Sequence, residues 1–246
     1  MAGEPVELVA ERAAGADPGR ASAAQLIKEG LRVLAATAAV GLVVGGLVGG
    51  GLGRLAMRLL VLTSPDRVDG SITDDEAVVN QFTLGGTIGL IFFIALAGVG
   101  LAWLYLAARH SLPRSIAVRA AVWAVLLWST VGSGVFEPEG FDFTQLTPVW
   151  LGVLVFSVIF LATGALIAIG VERVVDRWPA HPVAIALPLL PLLPVAPAAA
   201  LGLFALVGEW MNRRWRAVRI VGALVMVGIF LIWGPPTAAN VVRILV

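Results

Sequence analysis

The chain has 246 residues, 59% of them apolar and 13% charged, with a mean hydropathy of +0.94 and a net charge of +1. A soluble domain carries about a quarter charged residues, so this is the composition of a protein that lives in a bilayer. Without cysteine there is no disulfide, thiolate nucleophile, iron–sulfur cluster or CxxC zinc site, and the near-balance of charge gives no field for nucleic acid.

Marking every Asp, Glu, Lys and Arg leaves six long charge-free runs, at 33–53, 77–108, 120–136, 143–171, 178–208 and 220–242. A helix rises about 1.5 Å per residue and needs about 20 apolar residues to cross about 30 Å of hydrocarbon. The runs therefore predict an all-α, polytopic transmembrane bundle of about six spans, the fifth broken by proline. Residues 28–246 form the bundle and residues 1–27 a disordered or amphipathic tail. The first 20 residues are rich in Ala, Gly and Glu and lack aromatics, a composition that buries no core. Acidic residues stand where the basic segment of a secretory signal would be, so the tail is expected to stay attached. From Ala21 an amphipathic helix is expected, with Ser22 as N-cap.

The first span carries glycines at 41, 45, 49 and 53 and a second row at 46 and 50 that continues, at the same spacing, into Arg54 and Arg58. Residues four apart share a helix face, and a repeated GxxxG row lets a second backbone approach closely in lipid. Arg54 and Arg58 then have two readings. They hold an anion such as a lipid phosphate over a glycine floor, or they snorkel to the interface. The loop from Thr63 to Thr83 holds five acids. Asp74, Asp75 and Glu76 are candidates to bind a hard cation, to pair with Arg54 and Arg58, or to cap the second span.

The strings GRLAMRLL at 53–60, TDDE at 73–76 and FTLGGT at 82–87 resemble a group of uncharacterised actinobacterial multi-pass membrane proteins. The resemblance implies a membrane bundle and supplies no activity.

The third and fourth runs hold only uncharged polar groups: Ser129, Thr130 and Ser133, then Ser157 and Thr163. Such groups commonly bond to carbonyls one turn back. No charge lies near the middle of any run, which disfavours a proton pump. With two histidines far apart and Lys28 as the only lysine, HExxH zinc chemistry and a mid-membrane Schiff base are both excluded.

The fifth run has prolines at 182, 188, 191, 194 and 197. An interior proline removes a helical hydrogen bond and clashes with the preceding turn, so 178–208 is not a straight helix. Broken helices line many transport pathways, which makes Pro188, Pro191, Pro194 and Pro197 the pathway candidates. If all six runs cross from a cytoplasmic N-terminus, Arg213, Arg214 and Arg216 fall outside, against the positive-inside rule. A re-entrant fifth run would return them to the cytoplasm and put the C-terminus outside. Trp103, Tyr105, Trp150, Trp178, Trp210, Trp215 and Trp233 stand near run ends and read as interfacial belts.

Two functions follow. The first is a non-enzymatic cell-membrane protein with a cytoplasmic N-terminus, either a permease-like bundle or an accessory subunit packed through its glycine faces against a partner helix or a second copy. The alternative is an enzyme or binding protein for an anionic lipid-like substrate, with Arg54 and Arg58 gripping phosphate and Asp74 or Asp75 as base or metal ligand. No catalytic residue, resident metal or cofactor is assigned, and the partners expected are the bilayer and anionic lipid.

Overall fold

The computed structural model describes residues 23–65, 70 and 83–246, and every statement below concerns these. Asp74, Asp75, Glu76, the Ser22 cap and the tail lie outside them. Helix α1 (Ala23–Val44) runs through a π-helical stretch (Gly45–Leu52) into α2 (Gly53–Thr63). After α3 (Leu84–Ala108) come α4 (Ile116–Val135), a short α5 (Phe141–Thr144) and α6 (Val149–Val174). The chain ends with α7 (Pro182–Leu189), α8 (Ala196–Arg214) and α9 (Arg216–Leu245). Among the described residues there is no strand, and the fold is the expected all-α bundle.

Five helical stretches are long and apolar enough to cross a bilayer: Ala24–Thr63, Leu84–Ser111, Ile116–Val135, Val149–Arg177 and Arg216–Leu245. Thr83 sets the start of α3 by accepting a hydrogen bond from the Gly86 amide at 3.2 Å. The structure departs from six spans at the fifth run, which is two helices joined by a bend.

Glycine brings α1 and α3 together. They run antiparallel, and a Cβ added at Gly41 would lie 2.5 Å from Val99 Cα, one at Gly45 2.7 Å from Ile94 O, and one at Gly50 2.9 Å from Ile91 Cα. Backbone therefore lies on backbone along this seam. Gly49 faces only the Ile94 side chain, and Gly53 has nothing within 4 Å.

On the other side, α4 packs against α6, where a Cβ at Gly164 would lie 2.7 Å from Ala124 Cα. Trp128 Nε1 donates to Ser157 Oγ at 3.0 Å across the same seam. Ser129 and Thr130 bond back to Val125 and Leu126 carbonyls, as the sequence suggested. Buried Thr237 fastens α9 to α4 by donating to the Ser129 carbonyl at 2.8 Å. Leu60, Phe136, Phe143 and Phe156 fill the end of the bundle away from the start of α1. We call that end distal and the other proximal.

Two of the expected belt residues are core. Trp103 and Tyr105 are 3% and 0% exposed. The Trp103 indole donates to the Leu34 carbonyl and the Tyr105 hydroxyl to Glu172, so each ring is buried with its polar atom satisfied. Trp150, Trp210, Trp215 and Trp233 are exposed, as belt residues are.

Candidate functional site

The proline run enters and leaves the bundle at the proximal end. At its entry Arg32 Nη1 donates to the Val175 and Trp178 carbonyls at 2.9 and 3.0 Å. His181 caps α7 by accepting from the Val183 amide, and Pro182 sits in the first turn, where an N–H would have no helical partner anyway. The chain then descends through α7 and a 3-10 turn (Leu190–Leu192), bends over Leu193–Val195, and returns as α8. On the way back a Cβ at Gly202 would lie 3.4 Å from both Leu34 and Trp103 side chains, and Leu206 reaches Gly30. Helix α8 is thus antiparallel to α1 and parallel to α3. Leu192 and Ala205 close the packing against Leu34, Ala38, Val99 and Leu106.

Proline supplies the bend with fewer donors to satisfy. In hydrocarbon an unsatisfied amide costs several kcal/mol, and positions 191, 194 and 197 have no N–H to satisfy. Three amides of the bend are bonded: Leu193 to Leu190 O at 3.2 Å, Val195 to Leu192 O at 2.9 Å and Ala198 to Val195 O at 2.9 Å. Pro188 frees the carbonyl four residues back, and the Trp178 indole donates to that Ala184 oxygen at 3.0 Å. The three-residue period is therefore short helical turns, and the extended polyproline geometry it also matches is not adopted. Pro188 is buried, Pro191 half-buried, and Pro194 and Pro197 exposed.

The hairpin is stapled at its base. Arg109 donates from Nε to Glu209 Oε2 at 3.0 Å and from Nη2 to Oε1 at 2.6 Å. His110 Nε2 and Arg213 Nη2 also donate to Oε1, at 2.9 and 3.1 Å. Next to this pair, Asn212 Nδ2 donates to the Ala107 carbonyl at 2.5 Å and Ser111 Oγ to Asn212 Oδ1 at 3.1 Å. The Ala107 carbonyl is open to a side chain because α3 tightens into a 3-10 turn at Arg109–Ser111. Arg109 and Glu209 are 6% and 7% exposed. Glu209 lies outside the five spans. Burial pushes its carboxyl up, but the hydrogen bonds from His110 and Arg109 prevail and hold it down at about 2. With four donors on its two oxygens, and two arginines among the three partners, the carboxylate is held as an ion and acts as a clamp.

A second junction holds the other helices. Glu172 Oε1 accepts from Tyr105 at 2.9 Å and from Arg119 Nη1 at 2.8 Å, joining α6, α3 and α4. Neither junction was read from the sequence. The available signal was that Glu209 and Glu172 are lone acids at the ends of long apolar runs, where a carboxylate needs a partner.

Arg54 and Arg58 sit half-buried one turn apart on α2, in the distal half of the bundle. The glycine floor beneath them is taken by α3 as far as Gly50, leaving Gly53 open. Asp74 and Asp75 lie outside the described residues, and among the described residues no three His, Cys, Asp or Glu side chains come together to hold a metal ion. No family model, curated protein or solved structure shows a significant match to this chain.

Proposed function

We propose that this chain is a permease-like, non-enzymatic cell-membrane protein of five crossings, in which the α7–α8 hairpin is the working element. The observation that carries the reading is a broken, proline-bearing segment that enters and leaves the bundle at one end, the device by which many transporters bring backbone groups to mid-membrane. The proximal end holds Lys28, Arg32, Arg109, Arg114, Arg119, Arg173, Arg177 and all four arginines at 213–219, against Arg54, Arg58 and Arg243 distally. That asymmetry supports a cytoplasmic N-terminus and an external C-terminus. Leu187, Leu190 and Leu193 are exposed on the hairpin and suit a lipid-facing wedge. An accessory subunit that docks through the α1 glycines is the weaker reading, because Gly41, Gly45 and Gly50 are already covered by α3.

A working hairpin must admit water. In lipid nanodiscs, amide exchange over 189–201 is expected to be faster by about tenfold or more than over the Trp103–Ala107 turn of α3, since elements that move are drawn from the low-stability end of a structure. Exchange as slow as in that turn would leave a static wedge and remove the permease reading.

A further inference from the structure

Helix α9 starts in an environment that opposes it. A helix N-terminus carries partial positive charge and favours acids in its first turn, yet this one begins Arg216-Ala217-Val218-Arg219, with no acid and no side-chain cap. Arg114 arrives at the same place from the connection between α3 and α4. The three arginines and Ser111 line one cavity of about 580 Å³ whose apolar wall is Ile220 and Ala223. Ser111 can lie this close because residue 222 is glycine; a Cβ there would run into Ser111 Oγ. Among the described residues none of the three arginines makes an ion pair. Three like charges around a void at a positive helix end raise the free energy of the empty protein, and an anion in the void lowers it.

We propose that this cleft binds the phosphate of an anionic phospholipid headgroup. Phosphate chemistry follows from the arginines, whose planar forks match its oxygens. A lipid as its source follows from the surroundings. Trp210 and Trp215 pack with ring centroids 6.0 Å apart beside the cleft, and Arg214 lies 5.7 Å over Trp210; exposed tryptophans mark headgroup depth. Below the cleft, Ile220, Leu224, Val227 and Leu231 form one exposed face of α9, a track for acyl chains. Basic pockets between helices on the cytoplasmic side are a recurring form of headgroup site. This inference is independent of whether the hairpin moves.

The test is native mass spectrometry of the detergent-purified chain titrated with palmitoyl-oleoyl phosphatidylglycerol, with the phosphatidylcholine of the same chains, and with inorganic phosphate. Phosphatidylglycerol is expected to bind the wild type far more tightly than phosphatidylcholine, and millimolar phosphate to leave it bound. Each Arg→Gln change is expected to weaken binding about fivefold, and Arg114→Gln/Arg216→Gln/Arg219→Gln about 100-fold. Arg114→Gln lies outside any helix and reports the site without touching α9. Arg173→Gln/Arg177→Gln, basic residues of the same end outside the cleft, should bind as wild type. Equal binding of the two lipids, or unchanged binding by the triple variant, overturns the site. Displacement of phosphatidylglycerol by millimolar phosphate overturns the lipid assignment.

Discussion

Glu209→Ala is expected to destabilise the bundle by about 3–5 kcal/mol, the cost of leaving one partner of a buried ion pair uncompensated. The charge left behind is Arg109, 6% exposed and bonded to Glu209 through two nitrogens. The double variant Arg109→Leu/Glu209→Leu should recover most of that loss, because replacing both partners of a buried pair with apolar groups is often close to neutral. Chemical or thermal unfolding midpoints in detergent measure both. A single variant as stable as wild type would mean the clamp holds nothing. Acid should act in the same direction. The folded carboxyl, at about 2, lies below its unfolded value of 4.5, so its contribution is complete above about pH 4.5 and is lost as pH falls towards 2. Relative to wild type, Glu209→Gln should lack that part of the acid loss.

Gly45→Val should be strongly damaging to the α1–α3 seam. The added Cβ would meet Ile94 O at 2.7 Å and Gly98 Cα at 2.9 Å, which are backbone atoms that cannot rotate away. Overpacking costs about 1–3 kcal/mol where side chains can adjust, and here two helices must separate, so the upper end or beyond is expected. Gly53→Ala, two stripe positions further on, should have the opposite sign. It has nothing within 4 Å and an α-helical backbone at φ −57°, so replacing glycine gains up to about 1 kcal/mol of helix propensity. Unfolding midpoints of the pair distinguish a seam confined to Gly41–Gly50 from one that runs the length of the glycine row. Equal effects at 45 and 53 would contradict the geometry.

The spans were legible because oil solubility is a property of composition. Charge-free runs located every long helix, and the errors lay at their ends, where Arg216 and Arg219 extend α9 beyond its apolar run by carrying long stems into the helix. The glycine seam was legible from spacing alone, though not its partner; α3 offered Gly98 and the Ile91 and Ile94 backbone, a match no period announces. The fate of run 178–208 was only half legible. Four prolines at a three-residue spacing state that a straight helix fails, but the direction the chain takes afterwards depends on Glu209 finding Arg109, 100 residues away in sequence. Local pattern does not encode a contact of that separation. For the same reason the cleft at Arg114, Arg216 and Arg219 was invisible: six crossings would place Arg114 and Arg216 at opposite faces, and the hairpin brings them together.

The hairpin's return to the proximal end sets the whole topology, and thiol labelling tests it most directly. The chain has no cysteine, so Ala180→Cys, Arg214→Cys and Val246→Cys each report one site against a blank background. With a membrane-impermeant maleimide, residues 180 and 214 should be labelled from the cytoplasmic side only, and residue 246 from the outside only. Labelling of residues 180 and 214 from opposite sides of the membrane would make the run a sixth crossing and contradict the account.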